Sequence, residues 1–207
     1  MITIDINGCS VDILPVVRGL VSESDKVTEA MKNKYDVFAV SLGKEDIIAV
    51  GHREELKEDQ WLEDIDVVYL YYLRTFGETD FPTPAYSAMV DECNKRSIPL
   101  MPLDMDEESY STVYCELIKT LELLKEGRLA RKAMKKKFDM SSPEAFAVSW
   151  DAFVNSSKGF SELIRLREKY AANRIRLLAK DSKRMLAVVE TERINGILAV
   201  LKGDRNV

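Results

Sequence analysis

Two arginines stand where this sequence could form an anion-binding site. Arg18 lies just beyond the end of a predicted strand, and Arg193 lies in the first turn of a predicted helix that Thr191 caps. Helix N-termini attract anions, and guanidinium groups form bidentate bonds with phosphate or carboxylate. The alternative is that both arginines pair with acids of the chain itself, of which Glu190 and Glu192 are nearest in sequence. The residues alone leave both interpretations open.

Two aspartates, Asp104 and Asp106, follow a predicted strand and could hold a hard cation or act as an acid–base pair. Their side chains would point to opposite faces of a continuing strand, which favours the alternative that they cap the next helix. Ser41 ends another predicted strand, but no histidine or lysine base and no Gly-x-Ser-x-Gly elbow accompanies it. We therefore expect no catalytic serine.

Histidine and cysteine are too few and too scattered for a metal centre. The single histidine is His52, and Cys9, Cys93 and Cys115 show no Cys-x-x-Cys spacing. A zinc site needs three or four such ligands. The composition therefore predicts reduced thiols, no transition metal and no cofactor.

A basic cluster before Phe138 is a candidate contact for nucleic acid. It consists of Arg128, Arg131, Lys132, Lys135, Lys136 and Lys137. No aromatic residue other than Phe138 interleaves with it, so a solvated helix face is the favoured interpretation. The net charge of -5 also argues against nucleic acid and anionic membranes as partners.

The elements that would position these residues alternate between strand and helix. Asn7-Gly8 separates two alternating runs and predicts a β-hairpin towards the edge of a sheet. Four apolar runs predict neighbouring central strands, mainly parallel and buried on both faces: 36–42, 66–73, 98–103 and 185–189. Thr83 and Pro84 predict the start of a helix that runs to about Arg96. This order is typical of an α/β fold with a mostly parallel sheet.

The pattern becomes almost wholly helical from Glu107 to Lys180. Residues 107–160 predict a helical insertion before the last strand. Its apolar stripe from Tyr110 to Leu124 needs a surface to cover it, so we expect a homodimer formed through the insertion. The aromatic residues expected to pack in the core are Trp61, Trp150 and those of the run Tyr69-Leu70-Tyr71-Tyr72.

Length and composition indicate one ordinary globular domain spanning residues 1–207. Hydrophobic residues make up 46% and charged residues 31% of the chain. Met1 leads straight into a strand pattern, so we expect no signal peptide. No apolar run approaches the ~20 residues of a membrane span. The expected location is the cytoplasm.

Four segments, in order, resemble the TraB/Tiki family. Residues 11–18 and 35–42 resemble that family's opening strand–helix–strand, and 84–106 resembles its alanine-rich helix and Ile-Asp-Arg-Asp strand end. Residues 167–172 (Arg-Glu-Lys-Tyr-Ala-Ala) and 195–197 (Asn-Gly-Ile) are similar to its closing Arg-Glu-x-Tyr-Met-Ala helix and x-x-Gly-Ile turn. The resemblance implies the α/β fold described above.

The departures from that family concern its metal ligands. Members with proposed metalloprotease activity rely on two histidines and a glutamate, whose positions here hold Arg18, Arg193 and Ser41. A guanidinium group has no free lone pair and cannot replace imidazole as a ligand. The resemblance therefore implies a metal site that has been lost. Arg167 matches the family's retained arginine and is expected to face the cleft, whereas Arg174 is expected on a solvated face.

The resemblance also implies that Arg18 and Arg193 lie close together, where an anion or carboxylate must separate their charges. We therefore expect non-catalytic binding of a small anionic ligand or a protein partner. The expected ligand-binding residues are Arg18, Ser41, Asp104, Arg167, Glu190 and Arg193. The alternative is a hydrolase or transferase that uses Asp104, Asp106 and Arg167 with a hard cation.

Overall fold

The computed structural model describes residues 1–55 and 62–203, and the side chains of all of these except 124–126. Trp61, which was expected to pack in the core, lies outside the described residues. The chain forms a mixed α/β structure in which helices cover both faces of one sheet.

The sheet has five strands in the order β1-β2-β5-β3-β4. The strands are β1 (Ile2–Ile6), β2 (Cys9–Val16), β3 (Val37–Val40), β4 (Leu100–Pro102) and β5 (Arg184–Glu190). β1 pairs antiparallel with β2, and the other pairs are parallel. The predicted strands at 36–42, 98–103 and 185–189 are confirmed, although β4 is an edge strand and only half-buried. The predicted hairpin is also confirmed, because Asn7 and Gly8 have φ values of 54° and 88° and β1 is the other edge.

Ten helices surround this sheet within the described ranges. They are α1 (Glu23–Ala30), α2 (Lys44–Gly51), α3 (Asp64–Leu73), α4 (Pro84–Arg96), α5 (Glu107–Leu117), α6 (Thr120–Glu126), α7 (Leu129–Ala133), α8 (Pro143–Val154), α9 (Lys158–Ala179) and α10 (Ile194–Lys202). Short 3-10 turns span Arg53–Glu55 and Thr191–Arg193. None of the helices that the structure describes is long and apolar enough to cross a membrane.

The prediction of a strand at 66–73 is wrong, because this segment forms α3. Its apolar run has no polar interruption that would show a period, so pattern alone could not separate a buried strand from a helix. Acidic residues near its start favour a helix N-terminus, and Asp66 accepts a hydrogen bond from the backbone N–H of Glu63 (3.4 Å). Val67 and Tyr71 are 53% and 60% exposed, four residues apart on one helical face.

The two faces of the sheet bury two separate clusters. Residues 11, 13, 185, 187 and 189 of β2 and β5 pack against α9 and α10, whereas residues 14, 16, 186 and 188 pack against α1 and α4. The alternation follows from the two-residue period of a strand. β5 is apolar on both faces for this reason, as expected for a central parallel strand.

A third cluster joins α3 to α7 and α8 and is rich in aromatic residues. Tyr69 stacks on Phe146 with ring centroids 5.3 Å apart and meets Trp150 edge-on. The prediction that Trp150 and Tyr69 pack in the core is confirmed. It is wrong for Tyr71, whose ring lies on the exposed face of α3.

The predicted helical insertion is present as α5 to α8. α5 packs against α9, and α8 packs against α3 and the turn Thr191–Arg193. Leu121 remains 71% exposed on α6. All six basic side chains of the cluster between Arg128 and Lys137 are exposed, as expected for a solvated face.

Candidate functional site

A cavity of about 220 Å³ lies at the edge of the sheet where the parallel strands end. The six residues expected to bind a ligand all line it: Arg18, Ser41, Asp104, Arg167, Glu190 and Arg193. Parallel strands bring their carboxyl ends to one edge, which is where α/β proteins bind ligands. Four strands contribute in this way, since Arg18, Ser41 and Asp104 follow β2, β3 and β4, and Glu190 ends β5.

The segment after β5 shapes one wall of the cavity. The chain passes from Glu190 through the turn Thr191–Arg193 directly into α10. Gly196, in the first turn of α10, lies against the Glu168 carboxylate of α9, and a Cβ at this position would overlap that carboxylate. The glycine therefore allows α9 to place Glu168 beside the N-terminus of α10.

Each arginine of the cavity pairs with a carboxylate of the chain. Arg167 Nε donates to Asp104 Oδ2 (3.0 Å), and Arg167 Nη2 contacts the same oxygen. Arg193 Nη1 donates to Glu168 Oε1 (3.3 Å). Two further ion pairs link Arg18 Nη2 to Asp66 Oδ1 (3.2 Å) and Arg193 to Asp151.

These pairs correspond to the alternative in which protein acids separate the arginines. The acids nearest in sequence, Glu190 and Glu192, are not the ones that form the ion pairs. α3, α8 and α9 supply the partners instead, which sequence proximity could not show.

Acidic groups outnumber basic groups around the cavity. Its lining contains three arginines and five carboxylic acids. The acids are Asp104, Asp151, Glu168, Glu190 and Glu192. An added anion would therefore meet an excess of carboxylates rather than a free positive charge.

Burial raises the pKa of two of these acids into the neutral range. It raises the pKa of Glu168 to about 7, while the charge on Arg167 acts in the opposite direction. It also raises the pKa of Glu192 to about 7, and the negative charge of Glu190 adds to this shift. Burial lowers the pKa of Arg193 to about 10, so this guanidinium keeps its charge at neutral pH.

Three buried polar atoms around the cavity lack a hydrogen-bond partner within the described part of the chain. They are the Tyr69 hydroxyl, Glu190 Oε2 and Glu192 Oε2. Buried polar atoms in native proteins are nearly always hydrogen-bonded, so each exception calls for a partner such as water or a ligand. All three atoms can accept a hydrogen bond.

The expected pairing of Asp104 with Asp106 around a cation does not form. Asp106 Oδ1 accepts a hydrogen bond from Ser109 N (2.8 Å) and so caps α5 away from the cavity, as the capping alternative predicted. In residues 1–55 and 62–203, no group of three or more His, Cys, Asp or Glu residues could hold a metal ion.

Arg167 lines the cavity as expected, whereas the expectation for Arg174 is wrong. Arg174 is half-buried, and its Nε donates to the carbonyl oxygen of Pro102 (3.4 Å). Pro102 belongs to β4, so contact with this strand accompanies the burial of a side chain that the charge pattern assigned to solvent.

Sequence reasoning missed Asp151, Glu168 and Tyr69 as lining residues. Glu168 follows Arg167 in the segment that resembles the family's closing helix, which was the one available signal. Tyr69 lies within the apolar run that was predicted to form a strand, and nothing in the sequence near Asp151 indicates a site.

The fold and the cavity define an α/β protein with a charged pocket at the carboxyl edge of its sheet. No family model and no curated protein matches the chain in sequence.

Proposed function

We propose that this chain is a TraB-like domain that has lost its metal ligands and binds a small polar molecule without catalysis. The support is that Arg18, Ser41 and Arg193, which occupy the positions of the family's ligands, line one cavity. Arg167, at the position of the family's retained arginine, lines it too.

The arginines can still contact an acidic group of the ligand. A guanidinium has five N–H donors, and the Asp104 carboxylate binds Arg167 through Nε and Nη2 only. Arg193 contacts Glu168 and Asp151 through Nη1 and Nη2. A carboxylate or phosphate of a ligand could therefore bind at the remaining donors. The excess of carboxylates disfavours a ligand with negative charge alone, so we expect a second, polar group as well.

Thermal melting with a panel of amino acids, phosphate, sulfate, nucleotides and small carboxylates tests this proposal. Saturation at about 100 times the Kd should stabilise the protein by ~2.7 kcal/mol, which is a shift of several degrees for a chain of this length. Arg167→Ala should abolish the shift. Arg174→Ala is the matched control, because Arg174 lies seven residues along the same helix and outside the lining of the cavity.

The proposal is contradicted if no compound shifts the wild-type protein. It is also contradicted if the Arg167 and Arg174 variants respond equally to a compound that does.

Acid–base catalysis on the bound molecule is a second candidate function. The observation that favours it is the pKa of about 7 at Glu168 and Glu192, since general acids and bases work best near the operating pH. Mass spectrometry of each binding compound after incubation would detect a product. If the Glu168→Gln and Glu192→Gln variants still form that product, these carboxyls are not the catalytic groups.

A further inference from the structure

We infer that the ligand is a small zwitterion whose primary ammonium group binds to Glu190, Glu192 and Tyr69 while its acidic group faces Arg167 and Arg193. This inference rests on the proposed function and names the class of ligand.

The unpartnered acceptors are the first observation. Tyr69 is only 3% exposed and lines the cavity, and its hydroxyl has no hydrogen-bond partner among the described residues. Glu190 Oε2 and Glu192 Oε2 are also buried and also lack a hydrogen-bond partner among the described residues. A buried acceptor without a donor destabilises the fold, so three of them around one cavity indicate a group that donates several hydrogen bonds.

The charges around the cavity are the second observation. Its five carboxylic acids exceed its three arginines. Glu190 and Glu192 line the same cavity, and the negative charge of Glu190 opposes the ionisation of Glu192. Arg18 offsets part of this repulsion, and a second positive group between the two acids would stabilise both carboxylates further.

A primary ammonium group fits these acceptors better than a metal ion does. Within the part of the chain that the structure describes, no group of three or more His, Cys, Asp or Glu residues could hold a metal ion. An ammonium group is compact and has three N–H donors, which equals the number of unpartnered acceptor atoms on the residues that line this cavity. The face of the Tyr69 ring is already covered by Arg18, whose Cζ lies 5.2 Å from the ring centroid. The cation would therefore contact the hydroxyl rather than the ring.

The size of the cavity limits the rest of the ligand. At about 30 Å³ per water molecule, 220 Å³ corresponds to roughly seven waters, which leaves room for a molecule the size of an amino acid. A molecule of this size could present an ammonium group to Glu190 and Glu192 and an acidic group to Arg167 and Arg193. Because such a ligand also carries a positive charge, the excess of carboxylates in this pocket would disfavour it less than a simple anion.

Paired ligands test the inference. We would measure the binding of the twenty common L-amino acids and 4-aminobutyrate by thermal melting, and compare each with its N-acetyl derivative. Acetylation removes the ammonium charge and keeps the acid. We expect at least one amino acid to bind and its N-acetyl derivative to bind at least 10-fold more weakly.

Variants provide an independent readout with an amino acid that binds. Tyr69→Phe and Glu190→Gln should each weaken its binding several-fold, and the folding of both variants can be checked by their unliganded melting. Tyr71→Phe is the matched control, because Tyr71 lies two residues along α3 and is exposed.

The outcomes separate the two proposals. If N-acetyl derivatives or simple carboxylates bind as tightly as the amino acids, the ammonium site is refuted and the proposed binding function stands. If Tyr69→Phe and Tyr71→Phe bind equally well, the assignment of the acceptors is wrong. If neither these compounds nor the anion panel shifts the melting temperature, both proposals fail.

Discussion

Replacing Glu168 or Glu192 by glutamine should change how the stability of this protein depends on pH. The ordinary pKa of a glutamate is 4.5, and burial raises the pKa of both side chains to about 7. Between these values, each carboxyl holds a proton in the folded protein that the unfolded chain has released. The stabilisation is therefore complete below pH 4.5 and is lost as the pH rises through 7. Glutamine does not titrate and removes this contribution.

The size of the effect follows from the one proton that each carboxyl binds in the folded but not in the unfolded protein. Each such proton changes the free energy of unfolding by about 1.4 kcal/mol per pH unit. From pH 5 to pH 8, each glutamate should make the wild type about 2 to 3 kcal/mol less stable relative to its glutamine variant. For Glu168 this is an upper value, because the hydrogen bond from Arg193 Nη1 (3.3 Å) favours the ionised carboxylate.

Urea unfolding at pH 5, 6, 7 and 8 measures this difference. The free energy of unfolding of each variant minus that of the wild type should increase steadily over this range. Glu162→Gln is the control, because Glu162 lies on the same helix as Glu168 and a hydrogen bond from Arg165 lowers its pKa. Its difference from the wild type should stay constant above pH 5. A constant difference for the Glu168 and Glu192 variants as well would refute the reasoning.

Three further outcomes are expected. Gly196→Ala should destabilise the protein by about 1 kcal/mol, because its Cβ would push the Glu168 carboxylate away from Arg193. Gly127→Ala is the control, because a Cβ at Gly127 has nothing within 4 Å, and its melting temperature should stay nearly unchanged. Equal melting temperatures of the two variants would contradict this. Arg167→Met should destabilise the protein by about 2 to 4 kcal/mol, because it leaves the Asp104 carboxylate without its partner. Adding Asp104→Asn should recover part of this loss in urea unfolding. If the effects of the two substitutions simply add, the two side chains are not coupled and the prediction is wrong. The helical insertion should support a homodimer, and sedimentation as a monomer at high micromolar concentration would count against it.

Local chemistry made several elements predictable. Asn7 and Gly8 adopt positive φ at little cost, so the hairpin follows from two residues. Pro84 suits the first turn of a helix, and α4 begins there. The apolar runs at β3 and β5 are short and rich in valine, which favours a buried strand.

The same rule failed for α3. Its segment is as apolar as a buried strand because Tyr69, Leu70 and Leu73 face the aromatic cluster of α7 and α8. The packing of other helices decides its conformation, and those helices lie more than fifty residues further along the chain.

The sequence by itself determined which chemical groups are available: several arginines near strand ends, many carboxylates, one histidine and no cysteine pair. Only the tertiary structure decided which of these groups meet. Arg193 pairs with Asp151 and Glu168, which α8 and α9 bring to it from 42 and 25 residues away. Burial in that crevice then moves the pKa of Glu168 towards 7. Desolvation and ion pairing depend on distances in space, and a linear pattern of charges does not contain those distances.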